Sequence, residues 1–164
     1  AHGTLLTAIY KQWANDYPKF YKMDGLSRLA FAVGEFMVKG TDSLPTLALE
    51  DNTAIVFVGK SGSLASDVKY QDTISNPDNF FPSPAHFVYT LPNIATGELA
   101  IRHEVHGETA FFIASQQDEA QISTLLHTAA MDKEATHVLG GWLEYEDDNH
   151  FAAHAQLYKV VRDL

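Results

Sequence analysis

The 164-residue chain contains no cysteine. That excludes a thiolate nucleophile, a cysteine-ligated metal and any disulfide. It is also poor in positive charge: eleven Lys and Arg stand against 21 Asp and Glu, for a net charge of −10. Such a balance speaks against binding a nucleic-acid backbone or an anionic membrane, both of which call for basic patches. No apolar run approaches the roughly 20 residues of a membrane span. The N-terminus shows no charged region followed by an apolar core, so no signal peptide is visible and the cytoplasm is the expected compartment.

What is present reads as one globular domain over residues 1–164, long enough to bury a real core. Leu5, Leu6, Ile9 and Trp13 fall at helical spacing. Tyr10, Trp13, Tyr17, Phe20 and Tyr21 form an aromatic cluster expected to pack in the core. Asp24 is a good N-cap for a second helix carrying Leu26, Leu29, Ala30, Val33 and Met37 on one face, with Gly40 as its stop. Thr41 to Asn52 reads as loop. Ala54 to Val58 is an unbroken apolar run, the pattern of a strand buried on both faces. Leu64 to Ile74 is expected to be a short helix and Ser75 to Pro84 a connector. Asn93 is placed to cap a further helix with Ile94, Leu99 and Ile101 as its apolar positions. Strands are expected at Thr109–Ala114, His137–Glu144 and Phe151–Val161, and an amphipathic helix at Asp118–Met131. Glu146 to Asn149 reads as an acidic hairpin turn. Helices interleaved with buried strands define the α/β class.

Three chemical motifs fail on spacing. Gly59-Lys60-Ser61 resembles the end of a phosphate-binding loop, but Ala54 occupies the position of the earlier glycine. His103-Glu104-Val105-His106 is one residue short of the zinc-protease spacing, which needs its histidines at i and i+4. His150 and His154 have that spacing on an expected strand, where they share no helical face. No metal site and no cofactor is therefore expected. Ser115 sits at a strand-to-helix turn, as a nucleophile would, but no glycine flanks it to permit the strained elbow. A helix cap is the simpler role for it.

The stretch from Pro82 to Glu144 runs turn, helix, strand, tight junction, helix, strand. Its residues carry a resemblance. Pro92-Asn93-Ile94-Ala95-Thr96-Gly97-Glu98-Leu99-Ala100-Ile101 is similar to a segment of the β-ketoacyl (3-oxoacyl-acyl-carrier-protein) synthases. Gly107-Glu108-Thr109 stands where that family has a Gly-Pro-Asn or Gly-Pro-Ser. The family's nucleophilic cysteine lies nine residues beyond that glycine, which here is Gln116. Its Gly-Gly-x-Glu motif ends 28 residues further on, which here is Glu144, with Gly140-Gly141 offset by one. Met23-Asp24 and the helix behind it resemble the family's Met-Asp-Arg helix. The resemblance covers residues 23 to 162.

It implies half of a thiolase-like fold, a mixed sheet of about four or five strands covered by helices. It also implies what is missing. A carboxamide at Gln116 is not nucleophilic and cannot carry an acyl thioester. The histidines and lysine that the family draws from its second half have no counterparts in the sequence, and neither does its first strand. The expected role is a catalytically inactive ketosynthase-like subunit in fatty-acid, polyketide or aryl-polyene-type biosynthesis. The strand Glu108 to Ala114, with Phe111, Phe112 and Ile113, would form its interface. The expected partner is a second copy or a full-length ketosynthase. Acyl carrier protein is a further possible partner, although carriers are usually acidic and like charges repel. Two alternatives stand beside this reading: an acyl-thioester-processing enzyme working through Ser115 or a partner's residues, and a small ligand-binding module on the half-fold.

Overall fold

The computed structural model describes residues 4–39 and 49–162. The expected helix stop at Gly40, and most of the expected loop from Thr41, lie outside the described residues. Among the described residues six α-helices and four strands follow in the order α1 (Leu5–Trp13), α2 (Gly25–Lys39), β1 (Thr53–Gly59), α3 (Leu64–Asp72), α4 (Pro84–Val88), α5 (Ile94–His103), β2 (Thr109–Ile113), α6 (Glu119–Ala130), β3 (His137–Asp147) and β4 (His150–Lys159).

The strands form one mixed sheet in the order β2-β1-β3-β4. β1 runs parallel to both β2 and β3, and β4 returns antiparallel to β3. β1 is the centre because every one of its residues is buried. Its alternate side chains serve two cores. Ile55 and Phe57 join Leu139 and Leu143 under α1, α2 and α5. Ala54, Val56 and Val58 join Val138 and Trp142 under α6. An unbroken apolar run is what a strand covered on both faces requires.

Local signals explain most of the elements. The Asp24 carboxylate accepts the Ser27 N–H at 2.9 Å and starts α2,. Leu26, Leu29 and Ala30 are buried, while Val33 and Met37 pack at the margin of the same core. Tyr10 and Phe20 stack with ring centroids 4.2 Å apart and are both buried. Tyr21, expected in that cluster's core, is half exposed, its ring lying edge-on to Tyr10. On β4, Phe151, Ala153, Ala155 and Leu157 face the larger core while the residues between them face outward.

Three expectations need correction. The connector before Pro84 continues directly into a short helix, α4, capped by Ser83; only five residues are helical, too few to show a period. Ile101 is exposed rather than an apolar anchor of α5, whose buried residues are Ala95, Thr96, Glu98 and Leu99. Asn93 does stand at the N-cap of α5, but its side chain makes no capping bond because its backbone is already helical.

Candidate functional site

The C-terminal ends of β2, β1 and β3 lie side by side, because the three strands are parallel and in register. In open α/β sheets this is the edge where loops converge to build sites. It carries the β2–α6 junction (Ala114 to Asp118), the loop after β1 (Lys60 to Ser63) and Glu144 on β3.

Glu144 organises this edge. Its carboxylate accepts the backbone N–H of Lys60 at 2.7 Å and that of Ser61 at 3.1 and 3.2 Å. The two amides point at a common acceptor, as amides in anion-binding turns do. The anion that fills the turn is the protein's own carboxylate. This gives a structural reason why Gly59-Lys60-Ser61 looks like part of a phosphate loop without being one.

The glycines near Glu144 are there for space. A Cβ on Gly140 would lie 2.0 Å from the Val56 carbonyl oxygen. Gly141 has φ +147° and a Cβ there would lie 2.0 Å from the carbonyl oxygen of His154. The pair lets β1 and β4 close on β3 from both sides. Gly107 likewise leaves no room, since a Cβ there would lie 2.3 Å from the Thr53 carbonyl oxygen. Gly97 is different: nothing lies within 4 Å of where its Cβ would be.

At the junction itself, the Ala114 N–H donates to the Gly59 carbonyl at 3.0 Å and holds the end of β2 against β1. Ser115 and Gln116 are exposed. The helix cap is Asp118, not Ser115: its carboxylate accepts the N–H of Ala120 and Gln121 at 3.0 and 3.1 Å. Asp118 directly precedes the first helical residue, Glu119, and its charge also meets the positive end of α6, whereas Ser115 lies three residues further back,. Gln117 is turned to Glu119, donating from Nε2 at 2.6 Å. Among the described residues Ser115 has no hydrogen bond to a histidine or carboxylate that would activate it.

The histidines singled out in the sequence are dispersed. His103 ends α5 and is nearly buried, whereas His106 is exposed and bonded to Asp51 at 2.5 Å. Glu104 between them takes a left-handed conformation, φ 55°, which ends the helix and sends the two imidazoles apart. His150 pairs with Asp147 at 2.9 Å. No group of three or more His, Asp or Glu side chains poised for a metal occurs among the described residues.

Two buried ionic clusters were not anticipated. Glu35 on α2, 2% exposed, takes a bidentate fork from Arg102 on α5 at 2.6 and 3.2 Å, and Lys39 at 3.0 Å. Arg102 also reaches Asp16 at 2.9 Å and lies over the rings of Tyr17 and Phe31. Burial pushes the Glu35 pKa up, but bonding to Arg102 and Lys39 outweighs it and holds the carboxyl below its ordinary range,. His103, 3.8 Å from the same carboxylate, has its pKa lowered, chiefly by burial and against the pull of Glu35. In the second cluster Glu98 pairs with Lys19 at 2.8 Å and accepts from the Tyr89 hydroxyl at 3.5 Å. Burial, with the charges of Glu98 and Asp24, pushes Tyr89 up to about 12. Spacing alone could have marked each acid as facing the core, though not its partner: Glu35 follows Phe31 by one helical turn, and Glu98 lies between Ala95 and Leu99 on the same face.

No family model matches the chain, and no curated protein matches it. Solved structures do. The ishigamide ketosynthase/chain length factor superposes with a TM-score of 0.68 at 21% identity, over 86% of this chain and 39% of that one. A ketosynthase, ApeO, in complex with its chain length factor ApeC from Xenorhabdus doucetiae superposes with a TM-score of 0.57 at 20% identity, over 80% of this chain and 50% of that one. The chain thus has a ketosynthase-like, thiolase-like α/β fold, and it spans half or less of the length of these solved chains. Its four-stranded mixed sheet agrees with half of such a fold.

Proposed function

We propose that the chain acts as a non-catalytic ketosynthase-type subunit that pairs, through the outer edge of β2, with a full-length ketosynthase. The setting would be cytoplasmic acyl-chain biosynthesis of the polyketide or aryl-polyene type. The observation that carries the reading is the state of β2. It is an edge strand, bonded to β1 on one side only among the described residues, and it exposes Phe112 and Ile113 by 41% and 60%. An apolar edge with free backbone donors and acceptors is a liability unless another strand covers it. The opposite edge, β4, turns Ala152, His154, Gln156 and Tyr158 outward and is far less apolar.

Further exposed apolar side chains surround β2. Ile113 and Pro92 both lie against Gly62, and Leu64 and Leu91, close to these in sequence, are 55% and 51% exposed. A patch of this kind marks an interaction surface. The solved structures that share the fold are described as assemblies of a ketosynthase with a chain length factor, which favours a partner of that type. Absence of catalysis is inferred from Gln116, whose amide cannot form a thioester, and from the lack of a base beside Ser115 among the described residues.

Co-expression with a ketosynthase from the same organism, followed by purification of the complex, tests the pairing. Malonyl-thioester decarboxylation by the isolated chain tests the absence of chemistry. A stable complex and no turnover are expected. Turnover that survives purification and is lost in Ser115→Ala would favour an acyl-thioester enzyme instead.

A further inference from the structure

A second candidate site lies away from β2. A cavity of about 290 Å³ opens between the N-terminus of α2, α3 and α4. Its charged lining is Lys22, Arg28 and Lys69 against one carboxylate, Asp24, with His86 beside them. Three of the chain's eleven Lys and Arg therefore meet in one small hollow of a protein with net charge −10. That concentration calls for an explanation.

Nearby acids supply only part of it: Lys69 also borders a hollow that Glu146, Asp147 and Asp148 line, though it forms no ion pair with them among the described residues. Both Asp24 oxygens are in use, one accepting the Ser27 N–H at 2.9 Å and the other the Ser66 hydroxyl at 2.6 Å. Glu98, which accepts from the hydroxyl of the cavity-lining Tyr89, has its own cation in Lys19. Among the described residues, none of Lys22, Arg28 and Lys69 forms an ion pair with a carboxylate. Arg28 is fixed by donating to the carbonyls of Phe20 at 3.2 Å and Tyr21 at 2.9 Å. Its charge is thus held in place while its other terminal nitrogen has no hydrogen bond among the described residues.

We infer that this hollow binds a small organic phosphate. The two lysines supply mobile point charges, Arg28 a preorganised one, and charge-assisted bonds to phosphate are the strongest such a set can make. Met23, Ala85 and the rings of Tyr21 and Tyr89 give the walls an apolar side for the organic part,. The inference does not rest on the subunit role proposed above, and either can fail alone.

The test is an NMR titration of the folded chain with phenyl phosphate, with phenol as the uncharged control. Saturable shifts are expected at amides of residues 22–28, 66–69 and 85–89, with phenol causing little change. Lys22→Gln/Lys69→Gln should weaken binding about tenfold, the loss of two solvent-screened charge contacts. Both lysines are exposed, so the variant's remaining spectrum should be unchanged. Raising salt from about 50 to about 200 mM should weaken wild-type binding as well. Absence of saturation, equal shifts with phenol, or an affinity indifferent to both the variant and salt would overturn the inference.

Discussion

The Glu144 carboxylate and the backbone N–H of Lys60 are 2.7 Å apart, although 84 residues separate them in the chain. The bond ties the loop after β1 to β3 at the edge where the site residues gather. Charge-assisted bonds of this type contribute about 1.5–3 kcal/mol each when shielded, and less here because the contact is partly open to solvent. Glu144→Ala should therefore cost about 1–3 kcal/mol and lower Tm by several degrees. Glu144→Gln keeps one acceptor oxygen and should recover about half. Urea unfolding of the three proteins reads this directly, and equal midpoints would show that the contact contributes nothing.

The Glu35–Arg102 pair should be more consequential. Arg102→Met leaves a carboxylate that is 2% exposed without its main partner. Loss of one member of a buried pair costs about 3–5 kcal/mol. Replacing both, Glu35→Leu with Arg102→Met, should restore much of that, because the penalty lies in the orphaned charge. A double-mutant cycle by chemical denaturation would show the two changes to be strongly non-additive.

Stability should also fall on acidification, in two stages. His103 is held below its ordinary 6.5, so the unfolded chain binds a proton that the folded chain resists,. Its contribution is complete above pH 6.5 and is lost as pH falls below that. Glu35 is held below its ordinary 4.5, so its contribution is present above 4.5 and lost as pH falls through the folded value,. The exposed His150–Asp147 pair acts both ways: Asp147, like Glu35, loses stability in acid, whereas the raised His150 favours the fold at low pH. Solvent screens the pair, and it should be a minor effect. His103→Gln should flatten the decline just below pH 6.5 and leave the one below 4.5 intact, as followed by urea midpoints from about pH 8 to about pH 4,.

The glycines of the candidate motif should separate cleanly. Gly140→Ala forces a methyl group to within 2.0 Å of the Val56 carbonyl and should destabilise by about 3 kcal/mol or more,. Gly97→Ala sits inside α5 with open space around it and should stabilise by about 1 kcal/mol through helix propensity,. Opposite signs in thermal unfolding are the expected result.

These contrasts show what the sequence could convey. β1 was legible because five apolar residues in a row fit only a strand covered on both faces. α2 was legible from its period and its Asp24 cap, and α6 from its period alone, since its cap is Asp118 and not the expected Ser115. Glu144 was located by its spacing from Gly107 and Gln116, yet its partners could not be, since backbone amides carry no side-chain signature. The partners of Glu35 and Glu98 were hidden for a related reason. A buried acid and its cation come from different helices, and only the fold brings them together. The apolar edge at Phe111, Phe112 and Ile113 was anticipated as an interface; the structure leaves Phe112 and Ile113 exposed but packs Phe111 against the larger core.

That edge is the centre of the functional account, and solution mass tests it most directly. Light scattering after size exclusion should be run on the 18.2 kDa chain alone and with the co-expressed ketosynthase proposed as its partner. A 1:1 complex is expected, lost in Phe112→Glu/Ile113→Lys while circular dichroism stays that of the wild type. A chain that remains monomeric in the partner's presence, or a complex that the double variant forms just as well, would contradict pairing through β2.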